Sequence, residues 1–224
     1  MNQSKPSVRI PPSAFYLSLL IYAVIGLIII WLWQGDAAGL YLRDLLTAKP
    51  PMSLWIAAVL AALSQLYLWA TKRLGSLDLP ATDGVVQLRS LVRDRSIAHI
   101  PALSLLSSAS EEILFRAALL GVLASFTGDL AACLIITVVF GAAHIPQYRG
   151  SWHAISYVFI LGFFLNGLFL WYGDLWGPIL LHFLNNLFNF TWMRLDYIQL
   201  REVPGRAGTK PAADGNTEEE EAAT

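Results

Sequence analysis

The sequence predicts an all-α fold, a polytopic transmembrane bundle of about six helical spans. Three observations carry this expectation. The 224-residue chain is 56% hydrophobic and 14% charged, whereas soluble domains run near about 25% charged. Six runs, near residues 15–33, 52–70, 99–125, 129–147, 153–172 and 175–195, are long and apolar; crossing about 30 Å of hydrocarbon takes roughly 20 helical residues. The runs are continuous, whereas a membrane barrel alternates over strands of about 10 residues.

The first run, Phe15 to Trp33, follows Lys5 and Arg9. A secretory signal starts in the same way, but this run is long enough to span and no small-residue cleavage site follows it, so it reads as a retained helix. The stretch Val85 to Ile97 mixes apolar and basic residues, which suits either a helix on the membrane surface or a solvated loop. Trp31, Trp33, Trp152, Trp171, Trp176 and Trp192 fall near span ends, as in an aromatic belt. The tail after Arg201 is rich in Pro, Gly, Ala and acids and ends in Glu218 to Glu221, a composition that cannot bury a core. The expected division is a hairpin and basic loop over 1–98, a four-helix core over 99–195 and a disordered acidic tail over 196–224.

Charge excludes some functions and orients the chain. A net charge of -1 gives no reason to expect nucleic acid. The single cysteine, Cys133, sits in an apolar run, so it reads as a packing residue, with no disulfide framework and no cysteine zinc cluster. If six spans alternate, Lys5, Arg9, Lys72, Arg73, Arg89, Arg93, Arg95, Arg149, Arg194, Arg201, Arg206 and Lys210 share one side. The opposite side holds Arg43 and Lys49. The positive-inside rule then places both termini in the cytoplasm.

Ionisable groups inside a span are expensive and mark function. The last four spans carry Glu111, Glu112, Arg116, His144 and His182; the first two carry none. Glu112 and Arg116 are one helical turn apart and can pair. Glu111 points about 100° away from Glu112, so one carboxylate can be held charged while the other faces a cavity as a base. A purely structural ion pair is the plainer reading of Glu112 and Arg116. His144 closes the fourth span after Gly141, Ala142 and Ala143, small residues that let another helix approach. On the sixth span His182 and Asn186 share a face. Asn185 and Asn189 read as interhelical hydrogen-bonding residues.

Two glutamates, two histidines, an asparagine and an arginine make a hydrolytic set. There is no Gly-x-Ser-x-Gly elbow and no His-Glu-x-x-His helix. Ser107, Ser108 and Ser110 lie near the glutamates and read as packing residues. Depth along the spans is uneven: residue counting puts Glu111 deep, His144 close to the cytoplasmic side and His182 nearer the other face. Tilt, a longer third span or a water-filled cleft reconciles them.

The motifs Glu111-Glu112-x-x-x-Arg116, Phe140-x-x-x-His144 and His182-x-x-x-Asn186, in this order on separate spans, resemble those of the CAAX prenyl endopeptidase and bacteriocin-processing family (CPBP, or Abi) of intramembrane proteases. The run Gly173 to His182 resembles the family's approach to its third motif. The resemblance covers about residues 99–195. It implies an endopeptidase in which Glu111 and His144 activate water, His182 and Asn186 form the oxyanion site, and Glu112 with Arg116 orients the first motif. Its partners are the lipid bilayer and a protein or peptide substrate, and its location is a bacterial inner (cell) membrane. No cofactor is expected. A zinc-dependent version of the hydrolysis competes with this reading, since two His and a Glu can hold zinc. A non-enzymatic immunity or scaffold protein would keep the fold, but it has no reason to bear the desolvation of six polar groups. A transporter would show broken mid-membrane helices and repeated halves, and neither is evident.

The orientation is checked by reporter fusions at Thr224 and in the loop after Trp33. The expected result is a cytoplasmic signal at Thr224 and the opposite signal at the loop. A C-terminal reporter on the far side of the membrane contradicts it.

Overall fold

In the computed structural model the described residues are 12–48, 51–75 and 78–201. Nearly all of them are helical. Helix α1 (Pro12–Gln34) leads through a 3-10 turn (Gly35–Ala37) into α2 (Ala38–Thr47) and then α3 (Pro51–Arg73). Helix α4 (Asp83–Arg93) precedes α5 (His99–Glu112), which runs on through a π-helical segment (Ile113–Leu120) into α6 (Gly121–Thr127). The chain closes with α7 (Asp129–Tyr148), α8 (Trp152–Tyr172) and α9 (Trp176–Arg194). Two short strands, β1 (Leu79–Pro80) and β2 (Leu200–Arg201), pair in parallel.

Local chemistry marks the joints. Gly128 has φ +80° and separates α6 from α7. Gly173 has φ +61° and ends α8 in the left-handed conformation that lacks a steric penalty only for glycine. The hydroxyl of Ser151 accepts from the amide of Ala154 at the start of α8, and the carboxylate of Asp174 accepts from the amide of Gly177 at the start of α9. Both are side-chain caps of donors that a helix start leaves free.

Among the described residues, four helical stretches are long and apolar enough to cross a membrane: Ser13–Thr47, Pro51–Arg73, Asp129–Tyr148 and Trp152–Tyr172. The all-α bundle agrees with expectation; the count of six spans does not follow from length and apolarity. The other two expected spans exist as helices, over 99–127 and 176–194. One holds Glu111, Glu112 and Arg116, and the other holds His182 and three asparagines. The packing explains how such helices are sheltered. α9 lies against α3, α5, α8 and α4, and α1 covers α5 and its π-helical continuation. The apolar helices show large side chains outward, among them Leu17, Ile28, Trp55, Val59, Leu134, Val138 and Trp171. Polar helices inside and apolar helices outside is the order a lipid solvent favours.

The expected boundaries at 98 and 196 are both crossed by packing. α3 lies along α9, and Ala57 and Ala61 of α3 share a buried cluster with Leu165, Leu168 and Leu181. The stretch expected as a surface helix or loop is α4, and its apolar side is turned into the protein: Val85, Leu88, Leu91 and Val92 are buried with Ile100, Leu103, Phe190 and Met193. The first residues of the expected tail are ordered. Ile198 is buried, β2 pairs with β1, and Asp196 bridges Arg89 and Arg93 of α4. The hydrogen bond from Arg89, followed by the charge of Arg93, holds the Asp196 carboxyl below the usual range. Lys5, Arg9, Lys49 and residues 202–224, with Arg206, Lys210 and Glu218 to Glu221, lie outside the described residues.

Candidate active site

The helix α5 delivers both glutamates at its end, where the backbone passes into the π-helical segment. Such segments widen the turn and are frequent at functional sites. Glu112 is fully buried, and its Oε1 accepts from Nη1 of Arg116 at 3.1 Å. The guanidinium, also fully buried, lies 4.3 Å from the centre of the Phe140 ring. Its Nη2 donates to the carbonyl of Gly162 at 3.4 Å. A Cβ at Gly162 would stand 2.9 Å from Phe140, so a glycine there lets α8 approach both groups. Gly141 plays the equivalent part on α7, where a Cβ would overlap the Phe159 ring of α8. Ala142 and Ala143, also expected to serve close approach, are exposed.

The same Glu112 Oε1 receives Nδ1 of His182 at 2.6 Å. A carboxylate paired with arginine is ionised and only accepts, so Nδ1 of His182 carries the proton. In the neutral ring Nε2 then presents a lone pair, 4.0 Å from Oε2 of Glu111. His144 repeats the arrangement from α7. Its Nδ1 donates to the carbonyl of Phe140 at 2.8 Å, which leaves Nε2 at 3.7 Å from the same Glu111 oxygen. Glu111 is held at its other oxygen by the hydroxyl of Ser107, at 3.1 Å. Two imidazole lone pairs and a carboxylate oxygen therefore converge on one point. Any two of these three acceptors can take the two hydrogens of one water.

This geometry corrects the uneven depth expected from residue counting. Glu111 lies as far from the His99 end of α5 as His182 lies from the Arg194 end of α9, about 18 Å at 1.5 Å per residue. The end of α7 is covered by α4, where the hydroxyl of Thr82 donates to the carbonyl of Gln147, and His144 reaches the same group from α7. Beside them a cleft of about 100 Å³ runs outward between α3, α7, α8 and α9. His144, His182 and Asn186 line it together with Phe140, and Asp78, Ser151, His153 and Ile198 line it as well.

Of the six expected site residues, Glu111, His144 and His182 meet directly, Glu112 and Arg116 stand behind His182, and Asn186 lines the cleft. Asn185 points away from the cleft chemistry and joins helices: its Oδ1 accepts from Ser64 and Gln65 of α3 and from Tyr157 of α8. Asn189 lines the cleft and also bonds the side chain of Tyr157 on α8, an interhelical contact as expected. Cys133 is buried, as expected of a packing residue. Ser108 and Ser110 bond helix backbone, but Ser107 supports Glu111. Sequence reasoning misses Asn166. It is fully buried on α8, with Oδ1 accepting from Nε of Arg116 at 3.1 Å. Its only signal in the sequence is an amide deep in an otherwise apolar span. Among the described residues, no group of three or more His, Cys, Asp and Glu side chains has the geometry to hold a metal ion.

Comparison with known proteins finds a similarity for the central stretch. Residues 93–188 match the family model described as type II CAAX prenyl endopeptidase Rce1-like. The molecule is thus a helical membrane protein with a stretch similar to that family, and the stretch contains all six residues. The uncharacterized protein YpbD of Bacillus subtilis (strain 168) is 32% identical over 111 residues, 50% of this chain and 54% of YpbD. The chain therefore spans about half the length of the curated relative it matches. No solved structure matches the chain.

Replacing Glu112 by Gln leaves Arg116 buried without a counter-charge. The expected loss is roughly 3–5 kcal/mol of stability, read as thermal or denaturant unfolding in one detergent. An unfolding curve like that of the wild type would show that the pair does not hold the bundle.

Proposed function

We propose that the protein is an intramembrane endopeptidase that cleaves a peptide bond in a membrane-associated protein or peptide by direct attack of water. The observation that carries this reading is the convergence of Nε2 of His144, Nε2 of His182 and Oε2 of Glu111 at the side of a cleft. The cleft borders the helix ends that carry Lys72, Arg73, Arg93, Arg149 and Arg194, which the positive-inside rule puts in the cytoplasm of a bacterial cell.

In this mechanism Oε2 of Glu111, the general base, accepts one hydrogen of a water and an imidazole Nε2 accepts the other. The water gives a proton to Oε2 of Glu111 as its oxygen bonds to the peptide carbonyl carbon. The carbonyl π electrons move onto the oxygen, which accepts a hydrogen bond from the amide of Asn186. Glu111 then passes its proton to the amide nitrogen as the carbon–nitrogen bond breaks, leaving a carboxyl group and an amine. His182 donates its Nδ1 proton to Glu112, so it can donate from Nε2 only as an imidazolium. The oxyanion therefore falls first to Asn186, and His182 is foremost a water-orienting group. Glu112 and Arg116 fix His182 and take no proton. No step needs a metal.

The test needs no known substrate. A strain lacking the protein accumulates an uncleaved membrane protein or peptide, found by mass spectrometry of membrane termini, and the wild-type chain restores cleavage. Glu111→Gln, present in the membrane at the wild-type level, is expected not to restore it. Cleavage by the purified wild type is expected to persist in a strong chelator. Full restoration by Glu111→Gln removes the base from the mechanism, and loss on chelation reversed by zinc replaces it with the metal version.

A further inference from the structure

We infer that Asn166 is a positioning residue for this hydrolysis, fixing Arg116 and, through Glu112, the imidazole of His182. The inference rests on the reading of Glu111 as the base, with His182 as its neighbour. Asn166 is fully buried in α8, where an amide is costly unless both its ends are bonded. Its Nδ2 donates to the carbonyl of Cys133 at 3.1 Å and to the hydroxyl of Thr137 at 3.0 Å, both on α7. A carbonyl only accepts, so the orientation of the amide is forced, and Oδ1 must face Arg116, whose Nε lies at 3.1 Å and only donates.

Every later bond inherits its direction from this one. With Nε held, the guanidinium plane sets Nη2 on the carbonyl of Gly162 and Nη1 on Glu112. The Glu112 oxygen so held accepts Nδ1–H of His182, which turns Nε2 toward Glu111. Five elements, α5, α7, α8, the π-helical segment and α9, are thus joined in one polar chain that ends at the reacting group. Groups further from the chemistry that orient a catalytic imidazole typically matter by about 10- to 100-fold.

The competing role is plain interhelical bonding between α7 and α8. That role lowers stability when lost but does not touch the tautomer of His182. The test is nitrogen-15 NMR of the imidazoles in the full-length chain, reconstituted without substrate, beside its melting temperature. The wild type should show His182 protonated at Nδ1. In Asn166→Leu, which removes both ends of the amide, His182 should populate both tautomers. Asn166→Asp keeps the size, loses the donor to Cys133 and offers Arg116 a second carboxylate, so it should shift His182 in the same sense and serves if the leucine variant does not fold. Turnover should fall about 10- to 100-fold in either variant at unchanged KM. A folded variant at 166 with wild-type His182 signals overturns the proposal, whatever its melting temperature. Because the spectrum reads the resting protein, it is independent of Glu111→Gln, whose retained cleavage would instead overturn the reading on which the proposal rests.

Discussion

One carboxylate oxygen, Oε1 of Glu112, is shared between the guanidinium of Arg116 and the imidazole of His182. The cost of that arrangement shapes the fold around it. A buried ion loses several kcal/mol of hydration even after relaxation, so the pair is tolerable only if its remaining hydrogen-bonding capacity is met. Asn166 and the Gly162 carbonyl meet it from α8, and the Phe140 ring covers the guanidinium from α7. Such a group cannot face lipid. The two polar helices are therefore packed among the others, and the apolar α1, α3, α7 and α8 carry most of the exposed large side chains.

The same constraint divides the labour of the two adjacent glutamates. Glu112 is neutralised by Arg116 and fixes a tautomer. Glu111, one residue earlier, is held by Ser107 and faces two imidazole nitrogens. Two chemically equal side chains thus stand in different surroundings, and the proposed hydrolysis gives them different work. The N-terminal hairpin shares in this. α1 covers the segment bearing the glutamates, and α3 fixes α9 through Ser64, Gln65 and Asn185. A core expected to begin at residue 99 is closed by helices that precede it.

Much of this is legible in the sequence because helical spacing is a local property. Glu112 with Arg116, and His182 with Asn186, are one turn apart, and the cost of charge in lipid marks their helices as the working ones. Three features are not legible. The π-helical segment has no strong compositional signature and follows from how the helix is held at its sides. The convergence of Glu111, His144 and His182 is a tertiary contact of α5, α7 and α9 that residue counting does not give, and α4 reads in isolation as either a surface helix or a solvated loop because its apolar side matches membrane as well as protein. Asn166 looks like any isolated amide in an apolar span until Arg116 is seen beside it. The composition that follows residues 196–201 draws them into the expected tail, although Ile198 and the paired strand β2 belong to the folded part.

The claim at the centre of this account is that water attacks the peptide bond directly, with no covalent intermediate on the enzyme. Single-turnover cleavage in water enriched in oxygen-18, with the product's new carboxyl terminus and the intact enzyme both weighed by mass spectrometry, tests it most directly. The account expects one labelled oxygen in the new carboxyl group and an enzyme of unchanged mass at every time point. An acyl adduct on the chain, on Ser107 for example, would contradict it.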